Sequence, residues 1–388
     1  MPFQIIRNDI TKVSADVIVN TANPKPIIGG GTDSAIYKAA GEALLLAERE
    51  KIGDIARGDA VSTPAFGLNA KYIIHTVGPV WIDGSHGERE TLRSCYTKSL
   101  ELADKLSCES IAFPLIATGV YGFPKDEALD IALAEIGKFL LTHEMEITLV
   151  VFDRKAMKLS EKLIGEIDKY IDEHTVGRLH RKEYEGGFFS NRRQRERDED
   201  LSCSEISTFS ETLAAPAFEE TYERPMAAEK KAPSALHLPD MIGKKLDDLF
   251  KVKEDTFQQR LLKLIDERGL KDSDVYKKAN IDRKVFSKIR SNEAYKPKKT
   301  TAVAFAIALQ LDMDSMKDLL SRAGLAITPW EKFDLIISYF VTNKKYDIFE
   351  INAALFEYDQ PLLGTFPLDM KAHTGSSAGD SKPASRAG

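Results

Sequence analysis

The stretch DVIVNTANPKPIIGGGTDSAI, residues 16–36, decides the fold of the first half of the chain. It begins with a run of β-branched apolar residues, which is typical of a buried strand. Two prolines and three consecutive glycines follow, and the residues after Thr32 have the period of a helix. Glycines between a strand and a helix let a ligand approach main-chain N–H groups. The stretch therefore predicts a strand, a binding loop and a helix, with Asp33 in the first helical turn.

The same alternation extends through residues 1–175. The predicted strands are the apolar runs FQIIR, ADVIVNTA, KYIIHTVG, SIAFPLIAT and ITLVVFD, and runs with helical period lie between them. This order predicts an α/β fold with a mostly parallel sheet and helices on both faces. Ligands of such sheets bind at the carboxyl ends of the strands, so the loops after the strands are the candidate site.

The composition excludes several classes of protein. The chain has 388 residues, of which 43% are hydrophobic, and its net charge is −6. The apolar runs are strand-sized and residues 1–12 contain no signal-peptide core, so we expect a cytoplasmic protein without membrane contact. The three cysteines, Cys95, Cys108 and Cys203, are far apart and form no CxxC pair. We therefore expect neither a metal cluster nor a disulfide framework.

Composition also predicts the division of the chain. Residues 176–250 are charged, rich in Ser, Pro and Ala, and lack a sustained period, which predicts a flexible linker. Residues 251–360 have helical period throughout, which predicts a separate all-α helical domain. Residues 361–388 include HTGSSAGDSKPASRAG, which predicts a disordered tail.

A second glycine loop follows another apolar strand, in IAFPLIATGVYGFP, residues 111–124. Loops of this kind expose consecutive N–H groups, which suits a phosphate. The first loop lacks both the GxxxxGK[ST] and the GxGxxG motif, which argues against a P-loop and a classical dinucleotide fold. Two glycine loops at one sheet edge suit a ligand with two phosphates and a sugar at one end.

Four motifs in order resemble the macrodomain family, in particular its MacroD-type branch. They are NDITKVSADVIVNTAN (8–23), GGGTDSAIYKAAG (29–41), GDAVSTPAFGLNAKYIIHTVGP (58–79) and IAFPLIATGVYGFPKDEAL (111–129). The resemblance covers residues 1 to about 173. It implies a three-layer α/β/α fold with a mixed, mostly parallel sheet. It also implies binding of ADP-ribose, which many members hydrolyse from modified side chains.

The resemblance assigns the ligand contacts. Asp9 would accept the adenine amino group, Ile10 and Phe152 would line the adenine pocket, and Asn23 would face the distal ribose. Gly29, Gly30 and Gly31 would pass under that ribose. The segment 117–121 would wrap the pyrophosphate through its N–H groups, and Tyr121 would also lie near the distal ribose. The implied ADP-ribose-binding residues are Asp9, Ile10, Asn23, Gly29, Gly30, Gly31, Ala117, Thr118, Gly119, Val120, Tyr121 and Phe152.

Asp33 falls ten residues after Asn23, where MacroD-type enzymes carry their catalytic aspartate. Hydrolysis at an anomeric carbon passes through an oxocarbenium-like state that needs a base to activate water. A carboxylate leaving group needs little help from an acid, so a single base suits an ester to Asp or Glu, or an acetyl ester. The hypothesis is that Asp33 and Asn23 are catalytic, without metal or cofactor. The alternative is a non-catalytic reader that only binds ADP-ribose or ADP-ribosylated proteins.

Some of these residues have other interpretations. Asp33 could serve as an acid at the helix N-terminus, and Asp9 could cap a short turn before ITK. Asn23 could be a turn former, and His75 within its strand is interpreted as structural. The sequence also departs from the branch, because Ile28 replaces its first glycine and Thr32 its valine, and because Tyr37 stands where a histidine is common.

In the predicted helical domain, SDVYKKANIDRKVFSKIRS (273–291) has the spacing of a helix-turn-helix and resembles the phage-repressor-like family. Ile281, Phe286 and Ile289 would be buried, and Asp282 would cap the second helix. Residues 276–299 contain nine Lys or Arg against two acids. Such a basic stripe fits duplex DNA, and the alternative is a protein partner. The candidate contacts are Arg283, Lys284, Ser287 and Lys288.

Overall fold

The structure is a computed structural model, and it describes residues 3–152, 157, 159–174 and 255–364. The predicted linker at 176–250 and residues 365–388 of the predicted tail lie outside the described residues.

A six-stranded sheet forms the centre of the first part of the chain, in the order β1-β6-β5-β2-β4-β3. All strands pair in parallel except β3, which is antiparallel to β4. The mixed, mostly parallel sheet is therefore confirmed, and β3 is the one strand that the five predicted runs omit. The strands are β1 (Phe3–Arg7), β2 (Val17–Thr21), β3 (Ala60–Pro64), β4 (Tyr72–Thr76), β5 (Ser110–Pro114) and β6 (Glu146–Val151).

The helices of this part lie between the strands, as the alternation predicts. The residues DSAIYKAAGEALLLAERE, one of the runs with helical period between the predicted strands, form two helices because Gly41 between them has φ +103°, a conformation that only glycine adopts readily. The helices are α1 (Thr32–Ala40), α2 (Glu42–Ile52), α3 (Glu88–Lys105), α4 (Lys125–Thr142) and α5 (161–174).

Successive residues of β2 face opposite sides of the sheet, which places helices on both faces. Val17 and Val19 belong to the core that includes side chains of α3 and α4. Ile18, between them, packs in a second core with Ile36 of α1 and Leu45 of α2. The three-layer α/β/α arrangement follows, and it leaves the loops after the strands free to line a site.

An all-α region occupies residues 257–357, as predicted. The buried apolar residues of this region form one continuous core with those of α3 and α4. The region belongs to the same compact unit as the α/β part. Phe349 meets Phe3 of β1 edge to face, with ring centroids 5.4 Å apart. The helices are α6 (Phe257–Glu267), α7 (Asp272–Lys278), α8 (Arg283–Ser291), α9 (Lys299–Ala308), α10 (Met313–Ser321), α11 (Lys332–Thr342) and α12 (Ile348–Glu357).

Among the described helices, none combines the length and the apolar character that a membrane crossing requires.

Candidate active site

A cavity of about 630 Å³ opens at the carboxyl ends of β1, β2, β5 and β6. Every residue that the sequence predicts for ADP-ribose or catalysis lines this one cavity, although the contacts with a ligand remain a prediction. These residues are Asp9, Ile10, Asn23, Gly29, Gly30, Gly31, Asp33, Ala117, Thr118, Gly119, Val120, Tyr121 and Phe152. Sequence reasoning missed further lining residues: Asn8, Thr21, Ala22, Thr32, Ala35, Pro114, Leu115, Lys125, Val150 and Val151.

The carboxylate of Asp33 is fixed from two sides. One oxygen accepts a hydrogen bond from Asn20 Nδ2 at 2.6 Å, and the other accepts one from the N–H of Gly29. The side chain is only 3% exposed, although it lines the cavity. Burial raises the pKa of Asp33, and the bonds from Asn20 and Gly29 and the charge of Arg49 oppose that rise. Asp33 lies in the first turn of α1, but it is held by the preceding loop and strand.

Asn20 connects Asp33 to a buried histidine. Its Nδ2 lies 3.1 Å from Nδ1 of His75, and Nε2 of His75 lies 3.0 Å from Oγ1 of Thr63. Burial, assisted by the charge of Arg49, lowers the pKa of His75 to about 3, so the ring is neutral at neutral pH. Nδ1 therefore accepts from Asn20 while Nε2 donates to Thr63. This geometry fits the structural interpretation of His75 and makes Asn20 a donor to Asp33, a role that the sequence analysis did not assign.

The glycine loop determines how Asn23 and Asp33 approach each other. A Cβ on Gly29 would lie 2.7 Å from Nδ2 of Asn23 and 3.0 Å from Oδ2 of Asp33, so only glycine fits there. Gly31 has φ +64°, which side-chain-bearing residues rarely adopt, and it precedes the first residue of α1. Asn23 donates to the carbonyl of Ile27 at 3.1 Å, which holds its amide at the cavity wall. The loop thus brings the side-chain amide of Asn23 close to the carboxylate of Asp33.

The loop of residues 117–121 lies on the opposite wall. It is closed by hydrogen bonds from Gly122 N–H to Gly119 and from Phe123 N–H to Ala117, both 3.0 Å long. Among the described residues, the N–H groups of residues 118–121 donate to no main-chain carbonyl, so they can bind an anion. Ala117 adopts φ +63°, a strained conformation for a residue with a Cβ. The guanidinium of Arg57 lies 5.4 Å from the ring centroid of Tyr121 and covers it.

The far end of the cavity is formed by Asp9, Ile10 and Phe152. Asp9 does cap the short helical turn Ile10–Lys12, because its Oδ1 accepts from the N–H and hydroxyl of Thr11 at 3.0 and 2.7 Å. The cap does not exclude a ligand contact, since Asp9 also lines the cavity. Phe152 is 75% exposed at the rim, so its ring has a free face. An apolar surface beside a carboxylate suits a heterocycle with an amino group.

Of the three residues that depart from the family pattern, Ile28 and Tyr37 differ in position. Ile28 is part of the glycine loop and is 37% exposed. Tyr37 is buried, with its ring centroid 6.4 Å from that of His75, and it does not line the cavity. Tyr37 therefore has no direct access to a ligand in the cavity.

One group of possible metal ligands lies outside the cavity. Asp83, His86 and Glu88 bring their ligand atoms within 4.8 Å of one another. Oε1 of Glu88 accepts from three main-chain N–H groups and Oε2 accepts from that of His86. The carboxylate of Glu88 is thus already used to hold its loop.

The predicted helix-turn-helix residues are placed as expected for packing. Ile281, Phe286 and Ile289 are buried, and the side chain of Asp282 accepts from the N–H of Lys284 at the start of α8. The candidate contact residues are all exposed on α8: Arg283, Lys284, Ser287 and Lys288. They are remote from the cavity in the sequence and do not line it.

Comparison with known proteins accords with this geometry. The family model described as Macro domain matches residues 19–132. A macro domain-containing protein of Listeria monocytogenes (serotype 4b, strain F2365) is 48% identical over 172 residues, which cover 42% of this chain and 98% of that protein. The O-acetyl-ADP-ribose deacetylase of Escherichia coli K12 is 44% identical over 165 residues, 41% of this chain and 93% of that enzyme.

Among solved structures, a variant of the Oceanobacillus iheyensis macrodomain with ADPR is 40% identical, covers 39% of this chain and 86% of that one, and has a TM-score of 0.38. The curated relatives above cover less than half of this chain. Because it spans almost the full length of the Listeria relative at 48% identity, the chain belongs to the macrodomain family.

Proposed function

We propose that the cavity binds ADP-ribose and that the chain hydrolyses mono-ADP-ribosyl esters, with Asp33 activating water at the distal ribose. The substrates are ADP-ribosylated Asp or Glu side chains or O-acetyl-ADP-ribose. The relative from Escherichia coli named O-acetyl-ADP-ribose deacetylase supports this class of reaction. The enzyme needs no cofactor in this proposal.

The observation that carries the proposal is the environment of Asp33. Its carboxylate is buried, fixed by Asn20 and Gly29, and still part of the cavity wall beside Asn23. A fixed carboxylate whose burial raises its pKa is a better base than an exposed one, because base strength increases with pKa. A helix cap alone would not require the two hydrogen bonds that orient the carboxylate towards the glycine loop.

The remaining walls suit the rest of the ligand. The N–H groups of residues 118–121 and the side chain of Lys125 line the middle of the cavity, which supports binding of a diphosphate. Asp9 and Phe152 support binding of adenine at the far end. The distal ribose then lies over the three glycines, near Asp33 and Asn23.

The proposed hydrolysis uses only water and residues of this chain. For an ADP-ribosylated carboxylate, the oxygen of water forms a bond to the anomeric carbon as the bond from that carbon to the side-chain carboxylate breaks. Asp33 takes the proton of the attacking water and later returns it to solvent. The leaving carboxylate carries the electron pair of the broken bond, and the amide of Asn23 orients water and ribose hydroxyls.

Incubation with substrates of defined linkage tests this proposal. The full chain is mixed with O-acetyl-ADP-ribose and with peptides that carry ADP-ribose on Glu, Asp, Ser or Arg, and free ADP-ribose is measured. We expect release from the esters and from O-acetyl-ADP-ribose, and little from Ser or Arg, whose leaving groups need an acid. Absence of release from every ester, with ADP-ribose binding intact, would favour the non-catalytic reader.

The helical region supplies a second function in this proposal, the binding of a protein partner through the exposed face of α8. Duplex DNA is the other candidate, and the surroundings of α8 oppose it. Tyr276 of the preceding helix donates to Glu144 at 3.1 Å, and burial, followed by the charge of Asp282, raises the pKa of Glu146. These acids lie beside the end of α8 that a helix-turn-helix protein inserts into the major groove, so they would repel phosphates.

A salt titration of duplex binding distinguishes the two partners. Phosphate contacts make affinity fall steeply with salt. For a protein partner we expect weak duplex binding that Arg283→Ala and Lys288→Ala leave unchanged. Tight duplex binding whose salt dependence is reduced by either substitution would establish DNA instead.

A further inference from the structure

The helical region packs along β1, the edge strand that ends at the cavity. Side chains alternate along a strand, so Phe3, Ile5 and Arg7 lie on one face of β1. Phe3 and Ile5 are buried in the core that includes side chains of the helical region, and Phe349 of α12 meets Phe3 edge to face. Arg7 is the last residue of this row, at the end of β1 from which the chain enters the cavity wall.

The side chain of Arg7 is held by the C-terminal end of α12. Its Nη1 forms an ion pair with Asp359, and its Nη2 donates to the carbonyl of Phe356 at 3.3 Å. The guanidinium also lies 4.6 Å from the ring centroid of Phe356. The last carbonyls of a helix carry partial negative charge, which favours a cation there. A carboxylate, a carbonyl and an aromatic face of the helical region therefore converge on one side chain of β1.

The residues after Arg7 form the wall of the cavity. The N–H of Asn8 donates to the carbonyl of Val151 at 3.1 Å, and Oδ1 of Asn8 accepts from the N–H of Asp9 at 2.9 Å. Asn8, Asp9 and Val151 all line the cavity. A contact that fixes Arg7 thus also fixes the main chain that carries Asp9.

We propose that Arg7 is a positioning residue through which the helical region holds the carboxylate of Asp9 in place for adenine. The inference rests on the proposed function, because it concerns the proposed adenine contact. A carboxylate that is already in place binds its ligand without the cost of being ordered first. The helical region is then a part of the nucleotide site, in addition to carrying the exposed face of α8.

The test compares two ligands that differ at the amino group of adenine. Inosine diphosphate ribose has a carbonyl oxygen at that position, so it gains nothing from a positioned carboxylate of Asp9. We expect the native chain to bind ADP-ribose at least about tenfold more tightly than this analogue, as measured by calorimetry. In Arg7→Met we expect the ratio of the two affinities to fall about threefold, because only the affinity for ADP-ribose decreases. An unchanged ratio, or an equal loss of affinity for both ligands, overturns the proposal.

A variant on the other side of the ion pair tests the same contact. Asp359 has φ +53°, and Asp359→Gly removes its carboxylate while glycine readily keeps that conformation. The ratio should fall in Asp359→Gly as well. The double variant should have the same ratio as Arg7→Met alone, because both substitutions remove one contact. Additive reductions contradict the proposal.

Tyr358→Phe is the matched control at the same end of α12. The hydroxyl of Tyr358 donates to Asp168 of α5 at 2.6 Å, so the substitution removes a contact between the helical region and the α/β part and leaves Arg7 in place. We expect the native ratio. A ratio as low as that of Arg7→Met would show that any weakening of this packing has the same effect, which overturns the role of Arg7.

The measurement separates this inference from the proposed hydrolysis. Binding is measured without turnover, so a chain that hydrolyses no ester would refute the proposed reaction and still report on Arg7. A native chain that binds both ligands equally would overturn the inference together with the adenine contact of Asp9.

Discussion

The side-chain amide of Asn280 forms hydrogen bonds with both main-chain polar groups of Phe3. Its Oδ1 accepts from the N–H at 2.6 Å, and its Nδ2 donates to the carbonyl at 2.8 Å. Phe3 begins β1, an edge strand of the sheet, and Asn280 occupies the turn between α7 and α8 with φ +54°. The turn of the predicted helix-turn-helix thus satisfies an edge that would otherwise expose unpaired groups.

Replacing Asn280 should destabilise the whole unit. In Asn280→Gly the positive φ is retained and the two bonds to Phe3 are lost, together with the bond from Nδ2 to the carbonyl of Leu363. Buried main-chain groups are then left unpaired, at a cost of about 2 kcal/mol. In Asn280→Ala we expect a further loss of about 1 kcal/mol, because a Cβ disfavours this conformation. Urea unfolding of the full chain measures both.

The difference between the two variants separates hydrogen bonding from backbone strain. Equal stability of Asn280→Gly and the native chain would show that the two bonds contribute nothing. An unfolding transition of the helices that separates from that of the sheet would show that the two parts fold independently.

The buried His75 should make stability depend on pH. Its pKa is lowered from 6.5 to about 3 in the folded chain, so between these values the unfolded chain binds more protons. Stability is then full above about pH 6.5 and falls as the pH decreases towards 3, by at most about 1.4 kcal/mol per unit. We expect a shallower dependence in His75→Gln, measured by urea unfolding at several pH values. The same slope in both proteins would contradict this account of His75.

A methyl group at residue 29 should disturb the proposed site. In Gly29→Ala the new Cβ would meet Asn23 and the Asp33 carboxylate, so the amide and the carboxylate must separate. We expect ester hydrolysis to fall at least tenfold. Gly165→Ala is the matched control, since an added Cβ there meets nothing within 4 Å and alanine is the better helix former. Normal turnover of Gly29→Ala would show that the close approach is not required.

The ring of Phe152 should contribute to the affinity for ADP-ribose and not to the free energy of unfolding. Stacking of a base on an aromatic ring contributes about 1–3 kcal/mol, so Phe152→Ala should weaken ADP-ribose binding about tenfold or more. Its unfolding free energy should stay native because the side chain is exposed. Leu44→Ala, at another exposed apolar residue, serves as the control. Equal affinities, measured by calorimetry, would remove Phe152 from the proposed adenine site.

Much of the fold follows from local patterns in the sequence. The buried strands are continuous apolar runs, and the glycine motifs place the cavity-lining loops at strand ends. The strand Ala60–Pro64 is harder to predict because it is short, polar in part and at the sheet edge, where pairing with β4 decides its conformation. The break at Gly41 is also hard to predict, since glycine is often tolerated inside a helix.

The buried residues that surround the candidate site are harder to predict from the sequence. Asn20 lies in β2, shortly before Asn23, and only the fold shows that its side-chain amide donates a hydrogen bond to Asp33. In the sequence, Arg49 resembles an exposed charged residue of a helix, because nothing in the neighbouring residues indicates that its side chain is buried. Such residues act across long sequence separations, and their burial is set by packing of α1 and α2 on the sheet.

The central claim is that the buried carboxylate of Asp33 is the base of an ester hydrolase, and Asp33→Asn tests it most directly. The substitution keeps the size of the side chain and removes its basicity. Turnover of O-acetyl-ADP-ribose and the dissociation constant of ADP-ribose are measured on the same preparation. We expect turnover to fall by a factor on the order of 10²–10⁴ while the dissociation constant changes less than tenfold. Native turnover in Asp33→Asn would contradict the account.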